Sequence, residues 1–333
     1  MTPKERVMAR LEGKPVDKAP NYNIVMNFAA KRAGVTFREY VTNYKIFVDA
    51  ALDCAITFGI DVLSVISDPM REAEGFGSQV VFPENDVPYS PVPLLSSISD
   101  INKLRIPASG ARMEDRFNAV GLFKERAGDD YPIIGWVEGP IAQSCILRGM
   151  QDMMADMLSE PEAAEYLMDI CTQQAISFAK GQIACGADIV GVGDAAASLI
   201  GPALYEEFVL PREKQLINAI HEAGAKVKLH ICGNITSILP LVAQTGADIV
   251  DIDWMVPFGE AIDILGNKGL SVCGNFDPVE VLLRGNPQTV HEAVKACLRL
   301  SNSTTAIAAG CEVPRDTPYE NLLAVHEALN LFC

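Results

Sequence analysis

The chain has 333 residues, of which 49% are hydrophobic, and its formal net charge is −16 at pH 7. This length and composition allow a large core without disulfide or metal crosslinks, and the negative charge argues against nucleic acid or an anionic membrane as a partner. No apolar run reaches the roughly 18 residues of a membrane span, and the charged N-terminus lacks the apolar core of a secretory signal, so we expect a cytoplasmic protein.

The N-terminal residues MTPKERVMARLEGKP have a charged, helical pattern that predicts a helical extension. After them, short β-branched runs recur, and each is followed by a longer helical pattern. This alternation is typical of βα units around a parallel sheet, and several runs are almost wholly apolar, as strands covered on both faces are. The eight predicted strands are residues 22–26, 61–67, 132–138, 187–193, 226–232, 247–253, 270–276 and 304–310.

Three segments between the strands have clear local signals. Residues 203–223 form an amphipathic helical pattern that Pro211 interrupts, and Gly224 follows as the expected C-cap. Residues 317–320 (TPYE) form a capping-box pattern with proline at the first helical position, and they predict a final helix that reaches about Phe332. Residues 71–110 are rich in Pro, Ser and Gly, and they predict a long loop excursion over the mouth of the fold.

No linker or low-complexity tract divides the chain, so we predict a single domain over residues 1–333. Eight βα units in this order predict an α/β protein with a (β/α)8 or TIM-barrel architecture. In such a barrel the active site lies where the strands end and the βα loops begin. The residues at the C-terminal ends of the eight runs are therefore the ones to inspect.

Three metal-ligand residues lie at these ends. The fifth run ends in His230-Ile231-Cys232, and the eighth runs into Gly310-Cys311-Glu312. Residues two apart on a strand face the same side, so His230 and Cys232 converge, and Cys311 lies at the same rim. One imidazole and two thiolates suit zinc, and three protein ligands leave room for a substrate atom or a displaceable fourth ligand.

The alternative is that His230 hydrogen-bonds within the rim while both cysteines pack as small hydrophobic residues. Three ligand-type residues at two strand ends favour the metal. Cys273, near the end of the seventh run, is a second candidate ligand, although a buried strand thiol is its expected state. Five of the nine cysteines fall within or near helical patterns and are predicted to pack there: Cys54, Cys145, Cys171, Cys185 and Cys297.

Carboxylates also gather at the strand ends: Asp68, Glu138, Asp194, Asp251 and Asp253. A carboxylate there can complete a zinc shell, orient His230 or carry a proton. The alternative for each is to cap the next helix. We predict Asp194 and Asp253 as the catalytic carboxylates.

Residues 191–196 (GVGDAA) match a loose dinucleotide-binding pattern, GxGxxA. The match follows the fourth predicted strand rather than the first, and the expected continuation is not evident. We therefore assign no nucleotide cofactor to it.

Segments along nearly the whole chain resemble the uroporphyrinogen decarboxylase superfamily. They are the opening TPKERVMARLEGKPVDKAP, the central GDAAASLIGPALYEEFVLPREKQLINAIHEAG, and the closing GNFDPVEVLLRG and GCEVPRDTPYENLLAV. The resemblance implies the barrel fold but does not specify one reaction.

Two branches of this superfamily compete. True uroporphyrinogen decarboxylases work without metal and carry an arginine-rich segment after the first strand, whereas the equivalent residues 26–31 here are MNFAAK. A substrate with many carboxylates also suits so acidic a protein poorly. The zinc-dependent, corrinoid-linked methyltransferases carry an H-x-C…C pattern, which His230, Cys232 and Cys311 match. The methyltransferase branch is favoured.

Membership of that branch implies a methyl group moved between a small molecule and the cobalt of a corrinoid on a partner protein. The small molecule is a thiol acceptor, as in methylcobalamin:coenzyme M methyltransferases, or a methoxylated aromatic donor, as in O-demethylase methyltransferases. Zinc would lower the pKa of a bound thiol or stabilise a departing phenolate. Because the chain shows no DxHxxG corrinoid-binding motif, we expect the partner to supply the corrinoid.

Two other hypotheses stay open on the sequence. One is a metal-free decarboxylase of the uroporphyrinogen type. The other is a non-catalytic scaffold in which zinc is structural. Measuring whether the protein binds metal, and whether thiols can reach that metal, discriminates among the methyltransferase, decarboxylase and scaffold hypotheses.

Overall fold

The computed structural model describes residues 1–108 and 110–331. Within these residues, a parallel sheet of seven strands follows the chain order from β1 to β7. The strands are β1 Leu63–Ser64, β2 Ile133–Glu138, β3 Ile189–Gly193, β4 Lys226–Ile231, β5 Ile249–Ile252, β6 Ser271–Phe276 and β7 Ala306–Ala309.

Helices precede β1 and follow every strand. The α-helices are α1 Pro3–Leu11, α2 Asn27–Arg32, α3 Phe37–Thr42, α4 Tyr44–Phe58, α5 Met70–Phe76, α6 Ala111–Ala127, α7 Pro140–Arg148, α8 Met150–Ser159, α9 Pro161–Ala184, α10 Gly201–Leu204, α11 Leu210–Glu222, α12 Leu239–Val242, α13 Phe258–Gly266, α14 Pro287–Leu300 and α15 Tyr319–Leu331. Short 3-10 turns lie at Ile98–Lys103, Ala195–Leu199 and Thr236–Ile238, and π-helical turns lie at Tyr205–Val209 and Pro278–Leu283.

Strands form at seven of the eight predicted positions, and each is shorter than its sequence run. Strands β2, β3, β5, β6 and β7 are buried at every position. The apolar runs therefore correspond to strands that are covered on both faces, as parallel strands are.

The predicted strand at residues 22–26 does not form, which corrects the expectation of eight strands. An isolated parallel bridge pairs Asn21 with Ile307 instead. Oδ1 of Asn23 accepts the backbone N–H of Ala309 at 2.9 Å. A side chain thus takes the place of a backbone ladder partner, and this interrupts regular pairing.

Residues 20–22, at the start of this segment, contact both edges of the sheet. The N–H of Asp61, just before β1, donates to the carbonyl of Asn21 at 2.8 Å. The N–H of Tyr22 donates to the carbonyl of Ile307 in β7 at 2.9 Å, and the N–H of Ile307 donates to Pro20 at 2.9 Å. Backbone hydrogen bonds therefore link the start of β1 to β7 through residues 20–22.

The predicted helix at residues 203–223 forms with a change of pitch before Pro211. Helix α10 passes into the π-helical turn Tyr205–Val209 and then into α11, which ends at Glu222. Proline has no N–H, and its ring crowds the carbonyl four residues earlier, so a widened turn removes the clash.

The predicted capping box at residues 317–320 is wrong. Helix α15 begins at Tyr319, and within the described part of the chain Oγ1 of the buried Thr317 has no hydrogen-bond partner. The N–H of Thr317 donates to the carbonyl of Pro314 at 3.0 Å, so a turn precedes the helix. The predicted helix end near Phe332 lies outside the described residues.

The predicted loop excursion at residues 71–110 is only partly irregular. Helix α5 occupies its start, the 3-10 turn Ile98–Lys103 lies near its end, and an antiparallel bridge pairs Val81 with Tyr89. Val87, between the two bridge residues, reaches the wall of a cavity at the C-terminal edge of the sheet. The segment therefore contributes to the mouth of the fold, and residue 109 lies outside the described residues.

One cluster of buried hydrophobic residues extends from Val7 in α1 to Leu329 in α15. Among the described helices, none is both long enough and apolar enough to cross a bilayer.

A tryptophan lies across two glycines of the neighbouring strand. Trp136 in β2 is in register with Gly191 in β3. A Cβ atom at Gly191 would lie 2.2 Å from Cε3 of the indole, and one at Gly193 would lie 3.0 Å from Cζ2. The glycines therefore make room for the indole, which gives a packing reason for the GxG that resembles a dinucleotide pattern.

We expect Gly191→Ala to lower the melting temperature, because the added methyl group overlaps the Trp136 ring and overpacking of this kind costs about 1–3 kcal/mol. Thermal unfolding followed by circular dichroism measures the change. Gly121→Ala in α6 is the matched control, since a Cβ atom there meets nothing within 4 Å and alanine favours a helix. Partial recovery in the Gly191→Ala/Trp136→Leu protein would identify the contact, and equal melting temperatures for the two glycine variants would contradict it.

Candidate metal centre

The three predicted ligands lie together at the C-terminal edge of the sheet. His230 is the fifth residue of β4, Cys232 follows that strand directly, and Cys311 follows β7 after Gly310. His230 is buried, and both cysteines are partly buried. A Cβ atom at Gly310 would lie 2.1 Å from the backbone nitrogen of Trp254. Only glycine allows this close approach, which fixes where Cys311 leaves the sheet.

The distances within the trio fit a tetrahedral metal ion. The ligand atoms of His230, Cys232 and Cys311 all lie within 4.8 Å of one another. Nε2 of His230 is 3.1 Å from Sγ of Cys232, and the two Sγ atoms are 4.0 Å apart. Around tetrahedral zinc, the corresponding N–S and S–S separations are roughly 3.6 and 3.8 Å. No fourth His, Cys, Asp or Glu of the described residues joins the group.

A carboxylate orients His230 from the interior. Nδ1 of His230 lies 3.1 Å from Oδ2 of Asp251 and 3.2 Å from the carbonyl oxygen of the same residue. The same Oδ2 lies 2.5 Å from Nζ of Lys228. Because Nδ1 is engaged, Nε2 is the nitrogen that faces the cysteines, as in carboxylate–histidine–metal arrangements. Asp251 was among the edge carboxylates, but only the strand register, which places it opposite His230, distinguishes it.

The charges of this cluster depend on one another. Burial alone would raise the pKa of Asp251, but Lys228 and His230 outweigh burial and hold the pKa at about 2. Burial would lower the pKa of His230, whereas Asp251 and Cys311 raise it to about 10. A hydrogen bond with Cys232 lowers the pKa of Cys311 to about 4, and the same bond raises the pKa of Cys232. Cys311 is therefore a thiolate before a metal binds, and the protons that a metal ion would displace are those of the His230 imidazolium and the Cys232 thiol.

Cys273 does not belong to the group. It is fully buried in β6 and lies opposite Asp251 in the ladder. Burial, and then the charge of Asp251, raises the pKa of its thiol, so it is a neutral interior side chain. The other cysteines predicted to pack in helices lie there: Cys54 in α4, Cys145 in α7, Cys171 in α9, Cys297 in α14, and Cys185 at the end of α9.

Asp253 supports the chain that carries Cys232. Its Oδ2 accepts the N–H of Gly233 at 2.8 Å, and its Oδ1 accepts the N–H of Met255 at 3.2 Å. Both carboxylate oxygens are thus engaged by the backbone. These contacts favour a positioning role, and the catalytic role assigned to Asp253 from sequence stays a prediction.

Asp194 directly follows β3 and is fully buried. Its carboxylate lies at the start of α7, where Oδ1 accepts the N–H of Ala142 at 2.7 Å. Its carboxyl group also faces Glu213 of α11, which accepts a hydrogen bond from the Tyr205 hydroxyl. Burial raises the pKa of Asp194 to about 7, and burial together with Asp194 raises the pKa of Glu213 well above its usual value. The bond to Ala142 corresponds to helix capping, and a catalytic role for Asp194 stays a prediction.

A cavity of about 180 Å³ opens beside the trio, and all three candidate ligands contribute to its wall. Most of the remaining wall is apolar, and Trp136 is its largest side chain. Three carboxyl side chains, those of Asp68, Glu138 and Glu312, also line it. The sequence pattern had placed Asp68 and Glu138 at strand ends, whereas it gave no signal for Trp136 as part of the site.

Comparison with known proteins identifies a family. Residues 2–331 match the family described as Uroporphyrinogen decarboxylase (URO-D). A Methylcobamide:CoM methyltransferase of Methanosarcina acetivorans is 28% identical over 330 residues, covering 96% of this chain and 95% of that protein. A Uroporphyrinogen decarboxylase of Citrifermentans bemidjiense is 28% identical over 298 residues and covers 86% of each protein. A solved methyltransferase structure from Methanosarcina mazei has a TM-score of 0.92 at 24% identity and covers 100% of this chain and 99% of that chain.

We expect Glu213→Gln to flatten the pH dependence of stability between about pH 4 and pH 7. Burial, and then Asp194, raises the pKa of Glu213 well above its ordinary 4.5 in the folded protein. A raised folded-state pKa gives stability that is complete below the unfolded pKa and is lost as the pH rises through the folded value. Glutamine can still accept a hydrogen bond from the Tyr205 hydroxyl, and it does not titrate over this pH range.

Melting temperatures measured from pH 4 to pH 8 test this expectation. The wild-type value should fall by roughly 2–6 °C more than that of the variant over this range. Glu260→Gln, at an exposed position of α13, controls for the loss of one acid. Parallel curves for the wild type and Glu213→Gln would show that the pKa of Glu213 is not raised in the folded protein.

Proposed function

The chain belongs to the uroporphyrinogen decarboxylase family, and we propose that it is a zinc-dependent methyltransferase within that family. It moves a methyl group between a small molecule, either a methylated donor or a thiol acceptor, and the corrinoid cofactor of a partner protein. The observation that carries this proposal is the His230, Cys232 and Cys311 trio, whose ligand atoms lie within 4.8 Å of one another at a cavity wall. Relatives named as methyltransferases support it.

We also propose that the sheet closes into a complete barrel. Residues 20–22 would stand in for the missing strand between β1 and β7. The backbone hydrogen bonds that join Asn21 to Asp61 and Tyr22 to Ile307 support this arrangement. A closed barrel would bring the loops after all strands around one cavity.

When bound, zinc would supply a Lewis acid that lowers the pKa of a thiol or polarises the oxygen of a methyl ether. The residues of the chain prepare this site. Asp251 fixes the ring of His230, and Asp253 fixes the chain that follows Cys232. The apolar wall, with Trp136, keeps water from the reacting atoms and lowers the local dielectric, which strengthens each charge interaction.

We place the corrinoid partner over the mouth of the cavity. Exposed apolar side chains occur on the segments that follow the strands: Leu199 after β3, Trp254 and Met255 after β5, and Val279 after β6. Because parallel strands end at one edge, these segments lie on the same side of the sheet as the cavity. Exposed apolar groups that share a face mark interaction surfaces.

The wall of the same cavity argues against the alternative function, a decarboxylase that acts on substrates with many carboxylates. Among the described residues of its wall, His230 is the only one with a basic side chain, whereas three carry carboxyl groups. In the segment where such decarboxylases carry arginines, Met26 lines the cavity. Lys31, in the same segment, lies 3.0 Å from Asp316 in an exposed ion pair.

We expect about one zinc ion per wild-type chain after purification under reducing conditions, because an open site with three protein ligands binds zinc firmly. Elemental analysis measures the metal, and methyl transfer is assayed with methylcobalamin, thiols and methoxyarenes. The Cys232→Ala/Cys311→Ala protein should lose both the metal and the transfer. Cys185→Ser, which changes a partly buried cysteine outside the trio, should keep both. A wild-type protein that holds no zinc even when offered the metal would sink the proposal.

We expect Asp251→Asn to weaken zinc binding by roughly 10–100-fold, because the amide no longer supplies the charge that orients His230 and raises its basicity. Competition with a chelator measures the affinity. Asp248→Asn is the matched control, since Asp248 bonds to His221 and Lys226 near the other end of the same strands.

The Asp251→Asn change also leaves Lys228 without its carboxylate partner. The Lys228→Met/Asp251→Asn protein removes this buried charge, so it should recover stability but still bind zinc weakly. Wild-type zinc affinity in that double variant would show that Asp251 does not support the metal ligand.

A further inference from the structure

The cavity beside the trio has a wall with an unusual balance of charge. Its described lining residues are mostly apolar, and their acidic side chains are not matched by any lysine or arginine on the wall. The volume of about 180 Å³ is enough for a small organic molecule. Burying a charge without a partner is costly. This wall therefore predicts weaker binding of anionic molecules than of uncharged ones.

One row of residues sets the width of this cavity. Glu138 in β2 pairs with Gly193 in β3, and Gly193 pairs with His230 in β4. Residues in register on neighbouring parallel strands point to the same face, and two strand spacings are roughly 10 Å. Gly193 has no side chain, and the Trp136 indole lies over it, 3.0 Å from where a Cβ atom would be, so this ring forms the floor between the Glu138 carboxyl group and the His230 ring.

The surroundings of Glu138 favour its uncharged form. Its carboxyl group is almost completely buried, and no ion pair of the described residues includes it. Its backbone N–H donates to Oε1 of Glu72 at 2.9 Å, and this bond favours the charged form of Glu72. Burial, and then Glu72, raises the pKa of Glu138, and burial raises the pKa of Glu72 to about 7.

Asp68 on the same wall does not offer a free charge. Its carboxylate is bonded to Arg112, and Arg71 lies 3.6 Å from the same oxygen. Burial would raise the pKa of Asp68, but the two arginines outweigh burial and lower it. These cations are thus already engaged by Asp68, and neither lines the cavity.

We propose that the cavity takes an uncharged small molecule, with the Glu138 carboxyl group donating a hydrogen bond to it, and rejects molecules that carry an anionic group. The inference deepens the proposed function, on which it rests for the reaction, by naming the substrate class. An ether, phenol or uncharged thiol fits. A thiol or methoxyarene with a sulfonate or carboxylate does not.

The fluorescence of Trp136, which lines the cavity, reports whether a molecule binds there. The chain has two tryptophans, so Trp254→Phe leaves Trp136 as the only one. The metal-free Trp254→Phe protein is titrated with 2-methoxyphenol and with 2-methoxybenzoate while the fluorescence of Trp136 is followed. The phenol should bind at least about tenfold more tightly, because the benzoate must bury a charge while the only basic side chain on the described wall, His230, is already paired with Asp251. Equal affinities, tighter binding of the benzoate, or no response to either would overturn the proposal.

Two variants in the same background assign the selectivity to Glu138. Glu138→Gln keeps an uncharged hydrogen-bond donor, so both affinities should stay within about twofold of the parent. Glu138→Leu removes the donor and should weaken 2-methoxyphenol by roughly fivefold to tenfold, the equivalent of one lost hydrogen bond. Glu260→Gln controls for charge outside the cavity. A large gain in benzoate binding by Glu138→Gln would show that Glu138 is ionised, which would also overturn the proposal.

The zinc-loaded protein gives an independent comparison with 2-mercaptoethanol and 2-mercaptoethanesulfonate, two thiols that differ in charge. The uncharged thiol should bind more tightly, and a preference for the sulfonate would contradict the inference. If the protein holds no zinc, the proposed function fails, but the metal-free titration still decides the charge selectivity.

Discussion

The carboxylate of Asp251 contacts both Lys228 and His230, and this buried charge cluster connects the interior of the sheet to the candidate metal ligands. Each member is stable only because the others are present, since an unpaired charge in the interior costs several kcal/mol. The orientation of the His230 ring is therefore set by the core rather than by a flexible loop. A ligand held in this way is prepared before any metal arrives, which reduces the ordering that binding requires.

The packing around this cluster extends across neighbouring strands. The indole of Trp136 in β2 lies over the glycines of β3, and Nζ of Lys228 in β4 lies 5.9 Å from its ring centroid. Side chains that shape the cavity are thus also side chains that hold the strands in register. The wall of the site and the core of the fold are made of the same contacts, so the position of the ligands and the space beside them are determined together.

The sequence predicted most of the fold because apolar runs and helical patterns are local, and seven of the eight strand positions follow from them. It failed at residues 22–26, where the side chain of Asn23 takes a backbone partner, and at Thr317, where a turn precedes the helix. The trio was predictable because ligand residues at strand ends share one edge. The roles of Asp251 and Glu138 were not predictable from local sequence patterns. The role of Asp251 depends on the strand register, and that of Glu138 depends on which carboxyl groups lack a cationic partner.

The bond between Tyr22 and Ile307 joins residues that are 285 positions apart in the chain. During synthesis on the ribosome, at roughly 5–20 residues per second, the N-terminal segment would wait on the order of 15–60 seconds for its partner strand to emerge. Until then residues 20–22, which bond to the chain just before β1, lack the neighbour that β7 provides in the finished protein. Nascent chains of this architecture therefore depend on protection of an open sheet edge, and a message that ends before β7 would yield a product prone to aggregate rather than a smaller working enzyme.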